Sequence, residues 1–242
     1  MFVKKIKTDS NVVIVGDIHG SADQLKRIIE KTKHLSPQYI CVGDIIDRGP
    51  QSKEVIDLCI ENNFIGCQGN HEVWFNFFGS TGQFDDYALS QIMGGKATLL
   101  SYGIDNFSID NIERSKHKIP SSHFDFVRSL SPVILLEQGE HKYILSHGGI
   151  PANFIQAGEI EGSLEHFVRK NYNTILWTSA CSNSPYPFSD HIQIFGHKPF
   201  STVQNKIKNN SGWICLDTGA GTCYDKVLSA IVLPTQEIVS EK

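Results

Sequence analysis

Six short apolar runs in this chain end in the same way, and that repetition constrains its fold more than any other feature of the sequence. Residues 11–15 (NVVIV) run into Gly16-Asp17, residues 39–42 (YICV) into Gly43-Asp44, and residues 64–68 (FIGCQ) into Gly69-Asn70. Residues 143–145 (YIL) run into Ser146-His147, residues 192–195 (IQIF) into Gly196-His197, and residues 213–216 (WICL) into Asp217. Short runs rich in β-branched residues and bounded by glycine or polar residues read as buried strands. The first two are followed by helical patterns. Ser21-Ala22-Asp23-Gln24 reads as a capping box, with Leu25, Ile28 and Ile29 on the inward face. Ser52 reads as the cap of a second helix carrying Val55, Ile56 and Cys59. Strand, glycine, carboxylate, helix, strand is an α/β alternation. Ligands of open α/β sheets bind beyond the carboxyl ends of the strands, where Asp17, Asp44 and Asn70 fall.

The stretch from about 74 to 130 lacks that pattern. Residues 74–78 (WFNFF), 89–93 (LSQIM) and 124–127 (FDFV) read as helical, and the stretch reads as a mainly helical insertion over one side of the site. Its aromatic cluster reads as core. After Asp190 the chain is strand-rich, with Asn209-Asn210-Ser211-Gly212 as a hairpin turn, Lys206 and Lys208 on a solvated edge, and residues 227–233 as a closing strand. With 242 residues and neither repeats nor a low-complexity linker, the chain is expected to be one domain, 1–242.

Composition removes several classes of function. A net charge of −4 supplies no basic face for nucleic acid, so no nucleic-acid partner is expected. No run approaches the roughly 20 apolar residues of a membrane span, and the opening MFVKKIKTDS is no signal peptide, so no membrane partner is expected. The six cysteines are scattered without CxxC pairs, which points away from a zinc knuckle and towards a reducing, cytoplasmic setting.

Five motifs carry the chemistry: Gly16-Asp17-Ile18-His19-Gly20, Gly43-Asp44-Ile45-Ile46-Asp47-Arg48-Gly49, Gly69-Asn70-His71-Glu72, Ser146-His147-Gly148-Gly149 and Gly196-His197. Any one alone is an ordinary turn. Together, in matching strand-end contexts, they predict a dinuclear metal site. Mixed carboxylate, imidazole and amide donors suit manganese, iron or zinc better than calcium or magnesium.

This motif set resembles the signature of the calcineurin-like metallophosphoesterases. Asp47-Arg48-Gly49 and Gly69-Asn70-His71-Glu72 are similar to the phosphoprotein phosphatase branch, which includes small bacterial and phage enzymes. Gly94-Gly95 followed by Ser101-Tyr102-Gly103, and Leu216-Asp217-Thr218-Gly219, also resemble that family. The resemblance implies two packed mixed β-sheets flanked by helices, a four-layer αββα sandwich. It implies that Asp17 and His19 hold a first metal, that Asp44 bridges, and that Asn70, His147 and His197 complete the second. Arg48 and His71 would bind the phosphoryl group, His71 would be the general acid, and Asp47 would orient it. Glu72 reads as a helix-start residue, and His34, His117, His123, His141, His166 and His191 receive no role.

The implied activity is hydrolysis of phosphate monoesters, with a serine/threonine phosphoprotein or phosphopeptide as the expected partner. Dinucleoside polyphosphate hydrolysis is the alternative within enzymes, and a non-catalytic metal-binding regulatory module is the reading from another class. One departure bears on this choice. The family usually has a second phosphate-binding arginine shortly after a Leu/Ile-Trp pair. Here Ile175-Leu176-Trp177 is followed by Thr178-Ser179-Ala180-Cys181, leaving Arg169 and Lys198 as substitutes.

Overall fold

The computed structural model describes residues 2–152, 164–182, 185–208, 211–222 and 226–242. Asn209, Asn210 and Cys223 lie outside the described residues, so the hairpin turn expected at 209–212 is described only from Ser211 onward.

Two mixed sheets pack face to face. In chain order the strands are β1 (Val3–Thr8), β2 (Val12–Val15), β3 (Gln38–Cys41), β4 (Ile65–Gly66), β5 (Val133–Gln138) and β6 (His141–Ser146). They continue with β7 (Ile192–Phe195), β8 (Gln204–Lys208), β9 (Ser211–Cys215), β10 (Leu228–Leu233) and β11 (Glu237–Glu241). One sheet has the order β1-β5-β6-β7-β9-β8, the other β11-β10-β2-β3-β4. The apolar runs are continuous rather than alternating because their strands are covered on both faces. On β2, Val12 and Ile14 face the other sheet with Ile40, Tyr143, Leu145 and Ile231. Val13 and Val15 face helices on the opposite side.

Those helices are α1 (Ala22–Thr32) and α2 (Ser52–Glu61), joined by α3 (Glu72–Thr81), α4 (Gly95–Ser101), α5 (Ile109–Arg114) and α6 (Ser121–Ser129). The last four lie between β4 and β5 and pack Trp74, Phe75, Phe78 and Phe124 into the same outer core. On the far side, α7 (Leu164–Lys170) and α8 (Tyr172–Trp177) cover Val3, Val133 and Ile144 with Phe167, Val168 and Ile175. The layers therefore run helix, sheet, sheet, helix, as the family resemblance implied.

Three local expectations are corrected. Ser21 precedes α1 but its side chain makes no capping hydrogen bond. Its expected partner Gln24 is diverted, its Nε2 donating to the carbonyls of Lys226 and Glu241 at 3.0 and 3.2 Å. Ser52 does not cap α2; Gln51 holds that position, and the Ser52 hydroxyl accepts the Asp47 N–H at 3.1 Å instead. Residues 89–93 form no α-helix: a 3-10 turn covers Asp86–Leu89, and Ser90 turns extended (φ −62°, ψ 155°).

Strand direction places the site. β2, β3 and β4 are mutually parallel, and so are β6, β7 and β9. Each trio therefore ends at a single edge of its own sheet. The two edges meet, since His147 Nδ1, just after β6, lies 3.3 Å from the Val42 carbonyl, just after β3.

Ile14, fully buried between the sheets, should cost about 2–5 kcal/mol when cut to alanine. Lys206, exposed on edge strand β8, should change stability by no more than about 0.5 kcal/mol. Urea unfolding of both variants measures this, and comparable losses would contradict the inter-sheet core as the main source of stability.

Candidate active site

Left-handed backbone is unfavourable for side chains with a Cβ, and each such residue stores about 1–3 kcal/mol of strain. Among the described residues eight non-glycines have positive φ, and five of them are His19 (43°), Asp44 (49°), Asp47 (71°), Arg48 (66°) and His197 (71°). The strain is thus concentrated in the loops that follow the parallel strands. Gly69 is needed there for space: a Cβ would sit 2.1 Å from Asp44 Oδ1 and 2.4 Å from the Asp44 nitrogen.

Asp44 is the hub. Its Oδ2 lies 3.5 Å from His19 Nε2, 3.3 Å from His147 Nε2 and 3.7 Å from His71 Nε2. Two groups with metal-ligating geometry share it, His19–Asp44–His71 and Asp44–His147–His197, with the donor atoms of each group within 4.8 Å of one another. His147 Nε2 is 3.0 Å from Asn70 Oδ1 and 3.0 Å from His197 Nδ1. Asp17 closes the ring, its Oδ2 accepting the His197 N–H at 2.9 Å. All six residues expected as ligands are therefore gathered, and His71 lies in the same cluster.

The electrostatics are those of crowded ligands. Burial, with help from Asp217 and Asp44, holds the Asp17 carboxyl well above its usual range. Burial opposes the charge on Asp44 too, but His147 and His71 outweigh it and pull its carboxyl well down. Burial likewise disfavours the His147 cation, yet Asp44 lifts it to about 9. Burial and then His147 push His197 down to about 4. Burial raises Asp217, another strand-end carboxylate, to about 6. Asp17 Oδ1 is buried without a hydrogen-bond partner among the described residues. An orphaned carboxylate oxygen, and imidazole and amide atoms facing one another at hydrogen-bond distance, make a donor set that fits a pair of divalent cations.

His71 is held from behind. Its Nδ1 bonds Asp47 Oδ2 at 2.9 Å, which leaves Nε2 turned towards Asp44. Burial works against the imidazolium, but Asp44 and the Asp47 bond outweigh it and raise His71 above the ordinary histidine range. Asp47 is itself fixed: Oδ2 accepts Trp74 Nε1–H at 2.9 Å and Oδ1 accepts the Thr98 hydroxyl at 2.7 Å. Trp74 and Thr98 were not singled out by sequence reasoning. Trp74 stands one helical turn beyond His71, a spacing that could have revealed it. Thr98, distant in sequence, left no such signal. Arg48 Nη1 lies 2.6 Å from His19 Nε2, beside the first group. Of the two substitutes for the usual second arginine, Arg169 lies on α7 with its guanidinium 5.0 Å over the Phe2 ring, and Lys198 is exposed.

Glu72 does more than start a helix. Fully buried, its carboxylate accepts the N–H groups of Asp44 (3.0 Å), Ile45 (2.9 Å) and Gly69 (2.7 Å). One side chain on α3 thereby pins the loop after β3 to the loop after β4.

Residues 10–215 match the model of the calcineurin-like phosphoesterase family, and the chain belongs to it. Its relatives include the asymmetrical bis(5'-nucleosyl)-tetraphosphatase PrpE of Anoxybacillus flavithermus, 24% identical over 252 residues, covering 94% of this chain and 92% of that protein. Serine/threonine-protein phosphatase 1 of Salmonella typhimurium is 38% identical, but over 65 residues that make up 26% of this chain and 30% of that one. The fold is shared with a solved structure of a protein proposed to be a diadenosine tetraphosphatase, at TM-score 0.68 and 19% identity over 99% of this chain and 96% of that one.

Glu72→Gln turns an amide N–H towards backbone donors and should lower stability by about 1–3 kcal/mol. Gly69→Ala drives a methyl into Asp44. Both should reduce metal content at equilibrium, measured by elemental analysis after dialysis. Full metal loading in Gly69→Ala would show that Asp44 has freedom this geometry denies it.

Proposed function

We propose that this metallophosphoesterase hydrolyses dinucleoside tetraphosphates asymmetrically, to a nucleoside triphosphate and a nucleoside monophosphate. The observation that carries the reading is end-to-end correspondence. The tetraphosphatase relatives align with 94% of the chain and with 92% and 90% of their own lengths. The sequence matches to serine/threonine phosphatases stop at 28% and 26% of the chain. The absence of an arginine after Trp177 departs from the phosphoprotein phosphatase pattern and leaves this reading open. A serine/threonine phosphoprotein is the second reading, favoured by the higher identity, 37% and 38%, of those short matches.

Asp17, His19, Asp44, Asn70, His147 and His197 would hold two divalent cations, for which we propose manganese, with iron or zinc as alternatives compatible with the same donors. When bound, such a pair activates water for in-line attack on phosphorus and neutralises charge on the phosphoryl oxygens. The protein's own groups do the rest. Arg48 offers a planar fork of N–H donors to the phosphoryl oxygens. Asp47 keeps a proton on His71 Nδ1, and a second proton on Nε2 is the one passed to the leaving oxygen. The Trp74 and Thr98 bonds stop Asp47 from turning away. No cysteine or serine stands in a nucleophile arrangement, so no covalent phosphoenzyme is expected.

The two substrate classes differ in how much they need that proton. A serine alkoxide leaves badly without it, whereas a nucleotide phosphate leaves as a stable anion. His71→Asn should therefore cost roughly 10²–10⁴-fold in kcat on a phosphoserine peptide. The cost should be clearly smaller on diadenosine tetraphosphate. The decisive measurement compares kcat/KM of the metal-loaded wild type on both substrates and identifies the nucleotide products by chromatography. Efficient release of ATP and AMP supports the proposal. Faster turnover of the phosphopeptide, or two ADP as products, overturns it.

A further inference from the structure

Large aromatic side chains are seldom left in water beside one another without a use. Trp177 and Tyr87 are 42% and 47% exposed, and their ring centroids lie 6.4 Å apart at an interplanar angle of 52°. They come from opposite flanks of the active site. Trp177 ends α8, and its backbone carbonyl is a hydrogen-bond partner of the His197 imidazole. Tyr87 sits in the 3-10 turn Asp86–Leu89, in the segment that packs on the Arg48 loop: Gly94 N–H donates to Ser90, and the Gly94 carbonyl accepts the Arg48 N–H at 3.2 Å. The pair therefore joins the Arg48 side of the site to its His197 side: Trp177 bonds His197 directly, and Tyr87 reaches Arg48 through the backbone bonds of Ser90 and Gly94. The other two tryptophans are enclosed or in the sheet: Trp74 is 3% exposed and Trp213 lies within β9 against Phe195.

We propose that Trp177 and Tyr87 form the nucleobase subsite, stacking one base of the substrate while a phosphate of its chain occupies the metal centre. The inference rests on the dinucleotide reading of the same site and names what would make it selective. A base offers a flat π-face that stacks on indole or phenol irrespective of its identity, so the subsite discriminates nucleotide from peptide rather than adenine from guanine. A serine phosphoester has no ring to place there. A phosphotyrosine carries its ring directly on the phosphoryl oxygen, whereas a base stands off by a ribose and reaches the rim of the site.

The test uses the whole 242-residue chain, metal-loaded, with Trp177→Ala, Trp177→Phe and Tyr87→Ala. Loss of one stacking partner should lower kcat/KM for diadenosine tetraphosphate by about tenfold to a hundredfold, mainly through KM. The loss on tripolyphosphate, which has the phosphate chain but no base, should be several-fold smaller. Trp177→Phe should recover most of the activity. In addition, AMP should quench the tryptophan fluorescence of the wild type, and that quench should disappear in Trp177→Phe. Equal losses on both substrates, or a quench that survives the substitution, would overturn the subsite. So would a larger loss on a phosphotyrosine peptide than on the dinucleotide. If wild type does not cleave the dinucleotide, the functional reading falls first; if it does and Trp177→Ala matches it, only the subsite falls.

Discussion

The carboxylate of Glu72 is the interaction on which the arrangement of the site depends. Three backbone N–H groups, from Asp44, Ile45 and Gly69, point into the same buried space. Left without acceptors, each would carry a desolvation cost. One glutamate satisfies all three and in doing so fixes the distance between two neighbouring strand ends. Asp44 has little room left: Gly69 lies against its side chain and its nitrogen, and the His71 N–H donates to its Oδ1 at 3.2 Å. Burial and the nearby Asp44 charge together raise Glu72 to about 7, so the same residue that organises the loops carries part of the electrostatic load of the centre.

That load explains the layering. Asp17, Asp44, Asp217, Glu72 and four imidazoles are gathered at the joined edges of two sheets, nearly all of them removed from water. Such a concentration is unfavourable unless opposite charge and hydrogen bonds offset it. The continuous apolar runs beneath supply the opposing stability. They are buried on both faces, between the sheets and under the helices, so the polar edge rests on the least compliant part of the molecule. The second row of contacts, Trp74 and Thr98 on Asp47, then confines His71 without adding charge.

Much of this was legible in the sequence because Asp17, Asp44, Asn70, His147 and His197 each stand two positions past an apolar run. Strand existence, the α/β order and the strand-end placement of Asp17, Asp44, Asn70, His147 and His197 follow from that local rule, whereas His19 and the ligand set as a whole came from the family resemblance. What escaped was decided by partners far along the chain. Ser21 and Ser52 have the composition of helix caps, but Gln24 is claimed by the C-terminal strand region and Ser52 by the Asp47 loop. Glu72 looked like a helix-start residue because the loop amides it receives lie up to 28 positions away. Tyr87 carries no motif and Trp177 marked only the place of a missing arginine, so only the fold places their rings together.

The left-handed residues of the site have a consequence for how such a protein can change. Glycine would relax the backbone at His19, Asp44, Asp47, Arg48 or His197, yet it would erase the very group that the position exists to present. Those loops are consequently closed to the easiest route to a hardier molecule. Adaptation to heat, whether in nature or at the bench, has to proceed through those parts of the outer helical layers that touch no site residue and through the lysine-bearing rim of the larger sheet, where the chain answers only to packing and solubility.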